Sequence, residues 1–194
     1  MRKKSHFSLA SYILRSEGME QLNAHKKALY WGSIQPDCIP SFLTRKHCIE
    51  ETFPLLKKEL SLLVEEYNYD QGVTAYFCKH LGIILHYVAD YFTFPHNSFY
   101  PGNFKDHCFY ENDLKLYLRA YVRSEAAKQE RSEHIHAFTV DDLCQIIEEA
   151  HKQYRHSQNG VETDCSFIVS ICHKIADFLL SLFENQKDYR FATA

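Results

Sequence analysis

The segment Asp70–Phe92 reads DQGVTAYFCKHLGIILHYVADYF. Its apolar residues, among them Tyr76, Leu81, Ile84, Leu85 and Val88, lie nearly all round a helical wheel, which marks a helix buried on every side. Asp70 or Gln71 is expected to open it, and Pro95 to end it. His86 and Asp90 interrupt the apolar surface. Four residues turn a helix by about 400°, so these side chains share one face, one turn apart. An imidazole and a carboxylate without partners are costly to bury there.

Helical periodicity extends in both directions from this segment. Upstream, Ser5 is expected to cap a first helix with Phe7, Leu9, Ile13 and Leu14 as its stripe. A second helix is expected from about Gly18 to Trp31, and a third, kinked near Pro54, from Thr44 to Tyr67. Between them Ile34 to Leu43, with Pro36, Asp37 and Pro40, reads as an extended loop. Downstream, Asn97 to Asn103 is a loop, a helix covers about Lys105 to Ala127, and Lys128 to His136 is a polar connection. Thr139 and Asp142 form a capping-box pattern for a helix ending near Tyr154. Thr163 is expected to cap the last helix, with Phe167, Ile171, Ile175, Phe178, Leu179 and Leu182 as its stripe. No strand-like alternation is bounded by turns. The expected class is all-α, about seven helices in one domain, residues 1–194.

Composition narrows the function. A chain of 194 residues can bury a core unaided, and six Gly with five Pro exclude collagen-like and low-complexity classes. Lys and Arg number 22 against 25 Asp and Glu, a net charge of −3, so long nucleic acid is not an expected partner. No run of 18 apolar residues suggests a transmembrane segment. Met1-Arg2-Lys3-Lys4 resembles the start of a secretory signal, but Ser8, Ser11 and Arg15 interrupt the short apolar stretch beyond it, and no cleavage site appears. A cytoplasmic location is expected. The seven cysteines are odd in number and contain no Cys-x-x-Cys pair, which suits buried thiols in a reducing compartment.

Chemistry concentrates in the 12 histidines. His107-x-x-x-Glu111 repeats the His86-x-x-x-Asp90 pattern on the following helix, and His96 comes after Pro95 between them. Imidazole and carboxylate are zinc ligands, and two donors at i and i+4 can hold one ion without backbone strain. One such pair is ordinarily a surface ion pair. Two pairs in register, with a histidine between them, point to metal. The other candidates read as packing or solvated residues: His80 faces away from His86, His134 and His136 lie in the polar connection, and Glu148-x-x-His151 lacks the second copy a di-iron site needs. His25 and His173 read the same way.

His86-Tyr-Val-Ala-Asp90, Pro95-His96 and His107-x-x-x-Glu111 resemble the core motif of the bacterial zinc-dependent phospholipases C, which are related in fold to single-strand-specific zinc nucleases. His6, Asp37 and His47 match further positions of that pattern. The resemblance implies a first zinc held by Asp37, His47, His86 and Asp90 and a second by His96, His107 and Glu111. It also implies a third ion on His6, bridged through Asp90 and chelated in the family by an amino-terminal Trp. This chain starts Met1-Arg2 and its single Trp is Trp31, so two zincs are expected and the third lacks that ligand.

The expected activity is zinc-dependent hydrolysis of a phosphodiester, most simply a phospholipid head group, with Asp37 as general base as well as ligand. Tyr87, Tyr91, Phe92, Phe94, Phe99 and Tyr100 are candidates for an apolar rim, although helical spacing reads them first as core. Two alternatives remain open on the residues alone. One is a zinc-dependent nuclease or phosphatase acting on small soluble phosphoesters. The other is a non-catalytic protein in which zinc only holds helices together.

Overall fold

In the computed structural model, the described residues are 1–39, 46–129 and 139–191, with side chains described through residue 183. Among them are eight α-helices and no strand: the class is all-α, with one helix more than expected. The helices are α1 (Lys3–Arg15), α2 (Lys26–Ile34), α3 (Ile49–Val64), α4 (Ala75–Tyr91), α5 (Phe104–Tyr121), α6 (Glu125–Gln129), α7 (Val140–His156) and α8 (Val161–Phe191). Helix α4, the apolar segment, is the centre of the molecule. Every residue of α4 from His80 to Tyr91 is buried, with α2, α3 and α8 packed around it.

Several boundaries move for local reasons. Ser5 is not a cap: α1 begins at Lys3, and Ser5 is buried within it. Gly18–Trp31 is not one helix, because a 3₁₀ turn, Glu20–His25, precedes α2. The Asp37 loop is itself a 3₁₀ turn, Gln35–Asp37. Helix α3 starts at Ile49 rather than Thr44 and ends at Val64, with Pro54 inside it. Thr74, not Asp70 or Gln71, opens α4, its hydroxyl accepting from the Phe77 amide. That helix ends at Tyr91, ahead of Pro95, which sits in a 3₁₀ turn, Phe94–His96. The helix expected over Lys105–Ala127 divides at Val122 into α5 and α6. Thr139 and Asp142 do form the capping box of α7. Thr163 is no cap, since α8 starts at Val161. Pro40, Thr44 and most of the polar connection, including His134 and His136, lie outside the described residues.

The last helix carries a long apolar stretch, though no unbroken run of 18 apolar residues. Val161–Phe183 is long and apolar enough to cross a membrane by length and composition, with a mean hydropathy of 1.6. It is 67% buried against the other helices, as a core helix is.

Two glycines let α2 lie directly on α4. A Cβ added to Gly32 would stand 2.0 Å from the Lys79 carbonyl oxygen, and one on Gly82 would stand 2.5 Å from that of Leu29. Both contacts are far inside van der Waals distance, so only glycine permits this backbone approach. The approach matters chemically, because it brings the Ser33 carbonyl at the end of α2 onto His86.

Candidate metal centre

The first donors sit on the most deeply buried helix. His86 and Asp90 occupy successive turns of α4 and are both fully buried. The Ser33 carbonyl accepts from His86 Nδ1 at 2.9 Å, so the lone pair lies on Nε2, which faces Asp90 Oδ2 at 3.3 Å. Helix α1 carries His6 into the same space, its ring stacked on that of His86 with centroids 4.0 Å apart. His47, just before α3, brings Nδ1 to 3.0 Å from both His86 Nε2 and Asp90 Oδ2. Asp37 reaches in from its 3₁₀ turn, with Oδ1 3.6 Å from His47 Nδ1 and 3.8 Å from His86 Nε2.

The second set stands beside the first. His96, in the turn after α4, and His107 each bring Nε2 to 3.2 Å from Glu111 Oε1. The His47 carbonyl accepts from His96 Nδ1 at 3.3 Å, which again directs Nε2 to the shared space. All eight residues singled out in the sequence therefore meet. Three groups have donor atoms within 4.8 Å of one another: His6, Asp37 and His86; His47, His86 and Asp90, which shares His86 with the first; and His96, His107 and Glu111.

Met1 was not anticipated. Its α-amino nitrogen lies 2.5 Å from Asp90 Oδ1, 2.9 Å from His96 Nε2 and 3.4 Å from Glu111 Oε1. The Met1 nitrogen thus stands against the same Asp90 oxygen that His6 faces. Residue type carries no signal for this. It results from where α1 lies.

The electrostatics are those of a cation site. Burial alone would raise the Asp90 carboxyl, but the Met1 amino group, His96, His86 and His6 outweigh it and hold it far below the usual range. Burial would likewise raise Glu111, and hydrogen bonds from His107 and His96 bring it well down instead. Burial, then the neighbouring His86, pushes His6 down to about 3. For His47 burial is overcome by Asp90, and its pKa rises. Ionised carboxylates thus face several ring nitrogens, not all of which can carry protons. Both nitrogens of His6 are buried and meet no hydrogen-bond criterion among the described residues, and Nε2 lies 3.4 Å from Asp90 Oδ1. A buried imidazole so weakly partnered is costly unless its lone pair meets a cation. Nitrogen and oxygen donors at these separations suit zinc.

A cavity of about 570 Å³ adjoins the cluster, with His47, His96 and His107 on its wall beside Glu50, Glu51 and Ser98. Tyr87, Tyr91 and Phe92 are core, as helical spacing suggests, while Phe94, Phe99 and Tyr100 form a half-buried cluster nearby. His80 does face elsewhere, with Nδ1 2.5 Å from Glu59 Oε2. His151 bonds Asn97 at 2.7 Å and joins no donor group. Described thiols, all seven, are unpaired.

The fold is helical, and beside a cavity it gathers three His and carboxylate groups of a kind that could hold metal ions. A family model of zinc-dependent phospholipase C matches residues 5–161, and the chain belongs to that family. No curated protein and no solved structure matches it.

Proposed function

We propose that this protein is a zinc-dependent hydrolase of phosphodiesters, with residues 1–194 acting as one catalytic domain. The observation that carries the reading is the convergence of eight donors from distant parts of the chain into neighbouring groups, three of which, His47, His96 and His107, open onto one cavity. His47, His86, Asp90 and Asp37 would hold one ion, and His96, His107 and Glu111 a second. His6 and Asp90 would hold a third. Zinc at these positions supplies positive charge for the phosphate oxygens and lowers the pKa of water.

The protein's own groups supply geometry and proton handling. The Ser33 and His47 carbonyls fix the tautomers and ring planes of His86 and His96. Asp37, on a turn rather than a helix and more accessible than Asp90, would take a proton from water beside the donor groups. Phe94, Phe99 and Tyr100 offer an apolar flank for the substrate's alcohol portion.

A phospholipid head group is the substrate that family membership favours. Access argues against a purely structural role: His107 is 29% exposed and lines the cavity, whereas a structural zinc site is closed. The unpaired thiols support a reducing, cytoplasmic setting. Hydrolysis of a chromogenic phosphodiester and of phosphatidylcholine vesicles, before and after chelation, tests the reading. Activity lost with the metal and restored by zinc is expected. A zinc-loaded protein that hydrolyses neither would overturn it.

A further inference from the structure

Asp164 lies in the first turn of α8, beyond the residues that match the family, and its side chain is fully buried. Three groups converge on it. Oδ2 accepts from the Phe94 amide at 3.0 Å and from the Tyr110 hydroxyl at 2.9 Å, while Oδ1 accepts from the Tyr154 hydroxyl at 2.7 Å. No cation among the described residues pairs with it. Burial pushes its carboxyl up to about 6 despite these bonds.

Two of the three donors belong to the elements that carry the second donor set. Phe94 opens the turn that ends in His96, and Tyr110 immediately precedes Glu111 on α5. That turn and α5 are joined by the irregular segment Asn97–Asn103, and both lie where His107 and Glu111 are partly exposed. A buried carboxylate is an expensive way to satisfy one amide and two hydroxyls, since a neutral acceptor would do so without desolvating a charge. What it achieves here is to tie a turn and a helix to one atom, Oδ2.

We infer that Asp164 is a positioning residue for the zinc set His96, His107 and Glu111, holding the Phe94–His96 turn and α5 in register through a single carboxylate oxygen. This rests on the assignment of that set to zinc. Tyr154 provides an internal control, because its bond to the other oxygen leads to α7, which carries none of the eight donors.

The test is a Co²⁺ titration of the metal-free full chain, monitored by visible absorption and calorimetry. Asp164→Ala should weaken the phase belonging to the second set by about 10- to 100-fold, the scale for groups that orient metal ligands, and leave the other phase unchanged. Tyr110→Phe should weaken the same phase to a smaller degree, and Tyr154→Phe should leave both phases as they are. Asp164→Asn should restore binding: its amide oxygen can accept from Phe94 and Tyr110 while its NH₂ donates to the Tyr154 hydroxyl. If Asp164→Ala does not fold, Tyr110→Phe decides. A melting temperature that falls with both phases intact would overturn the inference, as would equal effects from Tyr110→Phe and Tyr154→Phe. His107→Ala separates the two levels. If it leaves every phase unchanged, the zinc assignment itself fails, and if it removes one phase that Tyr110→Phe does not touch, only the role of Asp164 fails.

Discussion

His86-x-x-x-Asp90 and His107-x-x-x-Glu111 are the same motif in two physical settings. The first pair is on the fully buried stretch of its helix, with both side chains at 0% exposure, one ring nitrogen bonded to a backbone carbonyl, and nitrogens of Met1, His6, His47 and His96 close to the carboxylate. The second is on a helix with one wet face, its histidine and glutamate 29% and 15% exposed. Identical spacing therefore has different consequences. The inner pair is part of the core and its loss is felt in stability. The outer pair borders the cavity, and its loss is felt in chemistry.

The largest effect should come from the centre of the inner set. Asp90→Ala leaves buried imidazoles and the Met1 amino group without their counter-charge. Breaking such a buried pairing costs about 3–5 kcal/mol, which chemical denaturation of the metal-free protein would measure. Gly82→Ala sharpens the comparison by acting on the inner pair through packing alone. Its Cβ would force α2 away from α4, at about 1–3 kcal/mol, and take Ser33 from His86. Metal titration should then show the inner phase weakened and the outer one retained. His107→Ala should cost under about 1 kcal/mol in the metal-free protein, because the group is partly exposed, yet remove the outer ion and most of the activity.

The smallest expected effect is a pH dependence. Asp164 has its carboxyl raised to about 6 by burial, so between its unfolded and folded values the native state holds more proton than the unfolded state. Stability from this group is therefore gained as pH falls through 6 and lost as pH rises. Relative to Asp164→Asn, the native protein should gain somewhat under 1 kcal/mol between pH 7 and about 5.5, read from paired denaturation curves. A difference that shrinks over that interval would contradict the assignment.

Much of this was legible in the sequence, for identifiable reasons. The central helix announced itself because an apolar surface on all sides has no other use in a bundle. The eight donors were found because i, i+4 spacing is local and the remaining ones fit a family pattern. What escaped depends on distant pieces of chain. Ser5 has the chemistry of a cap but is buried inside α1, because packing outweighs a capping preference. The glycine contact of α2 with α4 joins residues about fifty positions apart and leaves no periodic trace. The bond from Asp164 to Phe94 spans 70 positions, and an aspartate four residues into a helix reads only as favourable charge near its amino terminus. The Met1 amino group belongs to the same class, since its role is defined by tertiary position and not by type.

The most direct test of the two-set account is the zinc content and phosphodiesterase rate of three purified proteins side by side: native, His107→Ala and Asp90→Ala. The account predicts at least two zincs and full activity in the first. It predicts one ion fewer with little activity in the second, and loss of inner-set zinc with no activity in the third. An unchanged zinc count in His107→Ala, or a native rate in Asp90→Ala, would contradict it.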